Sequence, residues 1–249
     1  MSEEVALIVG GGGGVSASCA RLFASEGMQV AVAARTPDKP ALQTLAADHG
    51  ARIYQCDAAE PASVAQLFTD VTADLGTPRL VVHNIDGRTG DIFRKKITEV
   101  DPERFFEVLR NSTYSAFLVA QKAAEAILTL EPDALGARGT IIFTNASAAF
   151  KGYPLSGAFA ASCHGKSGLA ESMARELMPQ GVHVAHVPID AAIGVRQEDG
   201  SRGHWLAGPD TNDNMADPDA IATVYLQLHR QHRSTWAHEV VLRPWVENW

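Results

Sequence analysis

The segment that most restricts the fold is the first thirty residues. Val5 to Val9 is a five-residue apolar run rich in β-branched side chains, and it stops abruptly at five glycines, Gly10 to Gly14. A half-exposed strand would alternate apolar and polar residues, so an unbroken run reads as a strand buried on both faces. A helical pattern follows from Val15 to Gly27, with Cys19, Ala20, Leu22, Phe23 and Ala24 forming one broad face, and a glycine suited to end it. The unit then repeats. Strands are predicted at Gln29 to Ala34, Arg52 to Cys56, Leu80 to His83, Thr140 to Thr144 and Val182 to Val187. Between them lie helical patterns at Pro37 to His49, Pro61 to Leu75, Pro102 to Leu130 and Leu155 to Met178. Such alternation without a Pro/Ser-rich linker predicts a doubly wound α/β fold, its sheet mostly parallel. A last helix, Pro218 to Arg230, and a last strand, His238 to Leu242, bring the sheet to about seven strands. The Gly-, Asp- and Asn-rich segment 191–217 is expected to be irregular and to act as a substrate lid.

At 249 residues and about 150 residues per domain, a single domain spanning 1–249 is expected. Twenty-one Lys and Arg against twenty-nine Asp and Glu leave a net charge of −8. That field repels a polyphosphate duplex, so nucleic acid is not an expected partner. Cys19, Cys56 and Cys163 are far apart with no Cys-x-x-Cys pair, the pattern of reduced thiols. His229 and His232 have a spacing that suits a metal, but no third ligand is evident, so no metal is expected. Met1 to Glu4 is acidic where a secretory leader is basic. No stretch approaches the ~18 apolar residues of a membrane span. A cytoplasmic protein with no membrane partner is the expectation.

In doubly wound folds ligands bind outside the carboxyl ends of the strands, so motifs there carry most weight. The bend of Gly10, Gly12, Gly13 and Gly14 lets backbone amides approach a pyrophosphate, and Val15 opens the helix whose positive end faces it. Arg35, just after the second strand, suits a ribose 2′-phosphate, where a carboxylate would accept from a free 2′-hydroxyl. Asp57 follows the third strand and has an acceptor for an adenine amine. Asn84 follows the fourth, in His83-Asn84-Ile85-Asp86-Gly87.

Together these residues resemble the short-chain dehydrogenase/reductase family over nearly the whole chain. The family's Thr-Gly-x-x-x-Gly-x-Gly turn falls on Val9, Gly10, Gly14 and Ser16, and its Asn-Asn-Ala-Gly on His83, Asn84, Ile85 and Asp86. Asn111, Gly139 to Ile142, Gly168 to Leu177 and Arg243-Pro244-Trp245-Val246 match further along. The resemblance implies a Rossmann-type fold, bound NADP(H), a small-molecule carbonyl or alcohol substrate, and assembly into a homodimer or homotetramer through the last strand and the tail Trp245 to Trp249.

It also implies a site built from Ser, Tyr, Lys and Asn. Counting back from Gly168-Leu169 places the Tyr on Phe159 and the Lys of Tyr-x-x-x-Lys on Cys163, while Ser147 fits the Ser and Asn111 the Asn. Phe159 has no proton to give and Cys163 no fixed cation. Ser162 and Lys166 repeat the three-residue gap one turn further along, on roughly the same helix face, although using Lys166 is expected to need a local bulge. Tyr153 is the one phenol near the expected cleft. Trp205, Leu206 and His204 are candidate caps for an apolar substrate within the lid. The leading expectation is an atypical NADP(H)-dependent oxidoreductase for a small, largely apolar substrate, with a degraded tetrad. The alternative is a redox-inactive scaffold, favoured by the side chains of Ser16 and Asp86 at two of the family's glycine positions.

Overall fold

The computed structural model describes residues 4–92, 94–197, 200–204 and 206–248, except for the side chain of Asp91. Trp205 and Trp249 lie outside the described residues. Six parallel strands, β1 (Val5–Val9), β2 (Gln29–Ala34), β3 (Arg52–Gln55), β4 (Leu80–His83), β5 (Gly139–Ala146) and β6 (Val182–Ile189), form one sheet in the order β3-β2-β1-β4-β5-β6. The order reverses between β1 and β4, which opens a crevice at their carboxyl ends.

Helices cover both faces. On one side α1 (Val15–Ser25), α2 (Pro40–His49) and α7 (Pro218–His229) bury Phe23, Leu42 and Tyr225 against Ile8 and Val82. On the other, α3 (Pro61–Asp74), α5 (Ser115–Leu128) and α6 (Gly157–Leu177) bury Leu67, Val119 and Leu177 against Leu7 and Val81. Successive strand residues therefore serve opposite cores, which is why β1 is apolar throughout. Pro at the first position of α3 and α7 and the Asp101 side chain, which accepts from Glu103 N and Arg104 N, fix the helix starts.

Three expectations need correction. The helix expected over Pro102 to Leu130 is broken: α4 (Pro102–Leu109) is joined to α5 by a π-helical turn, Arg110–Tyr114. Ser115 Oγ donates to the Asn111 carbonyl at 2.6 Å, within the wider backbone spacing of that turn. The seventh strand is reduced to isolated parallel bridges, His186 to Glu239 and Ile189 to Leu242, beside β6. Segment 191–217 is also not structureless: β7 (Val195–Arg196), β8 (Arg202–His204) and β9 (Gly208–Pro209) form a small antiparallel sheet. Arg202 ties that sheet to Asp210 at 2.7 Å, Asp213 at 2.9 Å and Asp217. No described helix is long and apolar enough to cross a membrane.

Candidate active site

The glycine bend lies where the sheet order reverses, and Gly10 is its fixed point. Its φ is +109°, and a Cβ there would sit 2.3 Å from Asn84 O, so only glycine lets β1 and β4 end this close together. Past the bend, Gly14 caps α1 without a side-chain hydrogen bond, and no acidic residue stands in the first turn. The first amides of α1 and its positive dipole end are left for an anion. Ser16 does not block them. Its Oγ donates to Gly10 O at 2.8 Å and accepts from Asn84 Nδ2 at 2.7 Å, folded into the turn as a staple. Asp86 is likewise turned to a local partner, gripped by Arg88 Nε at 2.8 Å and Nη2 at 2.6 Å.

Two cavities that share Gly10, Lys39, Asn84, Ile85, Asp86 and Arg88 form one cleft along the strand ends. The arm of about 510 Å³ is lined by Arg35, Asp57 and Asn111. The arm of about 800 Å³ is lined by Gly12, Gly14, Val15, Phe159, Cys163 and Lys166. Each is of the size that holds a small ligand or part of a dinucleotide. Arg35 is joined in its arm by Lys39 at the start of α2. Asp57 Oδ1 accepts from Ala59 N at 3.0 Å, which shapes the loop after β3. Gly13 is exposed and lies off the cleft wall.

At the far end of the wider arm, α6 runs unbroken past Phe159, Cys163 and Lys166. The bulge expected for Lys166 is absent. The side chain is 1% exposed, and Nζ donates to Ile85 O at 2.9 Å and Thr144 O at 3.3 Å, at the ends of β4 and β5. Burial lowers its pKa to about 8, because a charge in a low-dielectric setting is disfavoured. Burial pushes the Cys163 thiol up to about 11, so it stays protonated at neutral pH. The Arg88 guanidinium stacks 4.5 Å above the centre of the Phe159 ring. Asn111 lies in the π turn, and His83, in the family's first Asn position, holds that turn by a 2.9 Å bond between Nε2 and Ser115 Oγ. Because the Ser115 proton goes to Asn111 O, His83 Nε2 is the donor to Ser115.

Ser147 opens a 3₁₀ turn just beyond β5, half-buried, and its carbonyl accepts from Phe150 N and Lys151 N. The residues at that strand end that line the cleft are Thr144, Asn145 and Ala146. Tyr153 is exposed on the following loop, and His164 is exposed on α6. Sequence reasoning missed Lys39, Arg88 and Asn145 as cleft residues, while His204, a candidate cap, does line the cleft. Asn145 carried a usable signal, being a polar residue inside the apolar β5.

A family model described as enoyl-(acyl carrier protein) reductase matches residues 10–239. The chain belongs to this short-chain dehydrogenase/reductase family. Members of this family bind NAD(P)(H). The 3-oxoacyl-[acyl-carrier-protein] reductase MabA of Mycobacterium avium is 30% identical over 71% of this chain, a match that spans 62% of that protein. The L-2,3-butanediol dehydrogenase of Corynebacterium glutamicum is 27% identical over 72% of this chain and 68% of its own length. Among solved structures, a short-chain dehydrogenase from Rhodopseudomonas palustris superposes with a TM-score of 0.77 at 28% identity, over 98% of this chain and all of that one. A metagenomic short-chain oxidoreductase in complex with NADP gives 0.75 at 25% identity, over 98% of each chain.

Proposed function

We propose that the protein binds NADP(H) in the cleft and interconverts a carbonyl and an alcohol on a small, largely apolar substrate, with Lys166 in the place of the missing phenol. The observation that carries this reading is a buried ammonium at the cleft end where Phe159 and Cys163 supply neither proton nor charge.

The residues present fit such a cofactor. The uncapped first turn of α1 suits its pyrophosphate, Arg35 and Lys39 suit a 2′-phosphate over a free hydroxyl, and Asp57 and Asn84 line the path for adenine and ribose. When bound, the cofactor supplies or accepts the hydride. The protein's share is position and the proton. Ile189, Ala191, Ile193 and Val195 give the wider arm an apolar wall, against which a hydrocarbon body packs with its oxygen toward α6. In reduction Lys166 Nζ hands a proton to the developing alkoxide and recovers one from solvent; in oxidation the neutral amine takes it back. A pKa near 8 suits both directions. Asn111, in its π turn on the wall of the narrower arm, is the polar group that would hold water for this exchange. Ser147 contributes through its turn, which sets the end of β5. In this reading the tetrad is atypical, and the whole chain acts as one domain that assembles into a homodimer or homotetramer.

The two residues that favoured a redox-inactive scaffold both line the cleft, but their polar groups are engaged, Ser16 Oγ in the glycine turn and the Asp86 carboxylate by the Arg88 guanidinium, whose charge offsets its own. The test follows NADPH absorbance across a panel of aldehydes and ketones. Turnover that disappears in Lys166→Met while NADPH binding persists supports the assignment. NADPH binding with no turnover on any member of the panel returns the inactive scaffold.

A further inference from the structure

Next to the cleft, a chain of three side chains runs from its wall to the surface. Asn145 lies one residue from the end of β5, lines the wider arm and is 7% exposed. Its Nδ2 donates to Cys163 O at 2.9 Å and faces His186 Nε2 at 2.8 Å, while Oδ1 accepts from Ala146 N at 3.0 Å. His186, on β6, is fully buried, and its Nδ1 meets Glu239 Oε2 at 2.9 Å. The Glu239 side chain is half exposed.

These contacts fix every proton in the chain. Turning the Asn145 amide over would set Oδ1 against the Cys163 carbonyl and Nδ2 against the Ala146 amide, two repulsions in a buried site. The amide is therefore locked by backbone groups. His186 Nε2 must be a bare acceptor, so Nδ1 carries the hydrogen and donates it to Glu239. A second proton on the ring would place N–H against N–H. The titratable groups facing the ring are Glu239 and His238 from the C-terminal segment and Lys166 from α6. Burial, His238 and Lys166 lower its proton affinity, and Glu239 raises it.

We infer that His186 is a positioning residue which, in its neutral Nδ1–H form alone, holds Asn145 against the Cys163 carbonyl and so seats the turns of α6 that bear Phe159, Cys163 and Lys166 against the ends of β5 and β6. Protonation through the exposed Glu239 breaks the clamp and loosens the active site in acid. The activity readout rests on the proposed NADP(H) chemistry, but the tautomer readout does not.

The test combines ¹⁵N NMR of the imidazole nitrogens with the pH profile of NADPH-dependent turnover. The expected spectrum has Nδ1 protonated and Nε2 bare at pH 8. Wild-type turnover is expected to fall on the acid side by roughly tenfold per pH unit, the slope of one proton. His186→Gln, whose carbonyl oxygen accepts from Asn145 but does not titrate, keeps the plateau and removes the acid limb. Glu239→Gln, a change at a half-exposed position that leaves the fold intact, moves the limb to lower pH because the carboxylate that favours the imidazolium is gone. A ring protonated on Nε2 at pH 8, or an acid limb unchanged in both variants, overturns the inference. A chain that binds no NADPH refutes the functional proposal instead, and the NMR result still decides this one.

Discussion

Lys166 sets function against stability in a way that one substitution exposes. Its pKa falls from the ordinary 10.5 to about 8 because the fold buries the ammonium, so the folded state disfavours the charged form. At pH 7 that costs the fold about 3 kcal/mol. The cost is present in full below pH 8 and is relieved as pH rises from 8 to 10.5, where the unfolded chain still holds the proton and the folded one has released it. Lys166→Met keeps the volume and removes the charge. It also removes hydrogen bonds to Ile85 O and Thr144 O, at about 1 kcal/mol each. The variant should therefore be more stable than the parent by about 1 kcal/mol at pH 7 in urea denaturation. Its stability should also lack the parent's rise between pH 8 and 10.5. Turnover should fall by about 10²- to 10⁴-fold, the worth of a general acid, with NADPH affinity little changed. A variant several kcal/mol less stable at pH 7, or one with the same alkaline rise as the parent, would refute the claim that the ammonium is buried at a cost. Unchanged turnover would refute its role as proton donor.

Gly10→Ala forces a side chain onto a backbone with φ of +109° and within 2.3 Å of Asn84 O; a loss of about 3 kcal/mol by urea denaturation is expected, together with loss of cofactor binding. Arg35→Ser combined with Lys39→Ser should weaken NADPH by about 10- to 100-fold, in keeping with charged hydrogen bonds of about 1.5–3 kcal/mol, while leaving NADH unchanged in calorimetry. Phe159→Tyr adds a phenol in the cleft beside Lys166 and under Arg88, and turnover should rise without a change at Cys163. Cys163 is itself buried next to Lys166, so a lysine there would add a second buried cation and cost stability.

The sheet and most helix limits were legible because their causes are local. Buried parallel strands such as β1 show as unbroken apolar runs, and Pro61, Asp101 and Pro218 mark helix starts by backbone chemistry alone. The π turn at Arg110–Tyr114 was hidden because a single wider turn leaves the apolar periodicity of α4 and α5 nearly continuous. Within the site, register singled out Phe159 and Cys163, and both line the cleft, whereas the bulge expected for Lys166 left side-chain length out of account: four methylenes span one helical turn, so α6 stays regular. Ser16 and Asp86 looked like obstacles in a linear reading. Both line the cleft, with their polar groups engaged by Gly10 O six residues back and Arg88 two residues on. The role of Asn145 depends on β6 and α6 together, a conjunction no single segment reveals.

The account stands on the glycine bend and the uncapped start of α1 as a cradle for a dinucleotide phosphate. Calorimetric titration of the purified protein with NADPH tests that directly. A single site per chain with micromolar affinity, lost in Gly10→Ala, is the predicted result. No heat of binding at millimolar NADPH from a folded protein would contradict it.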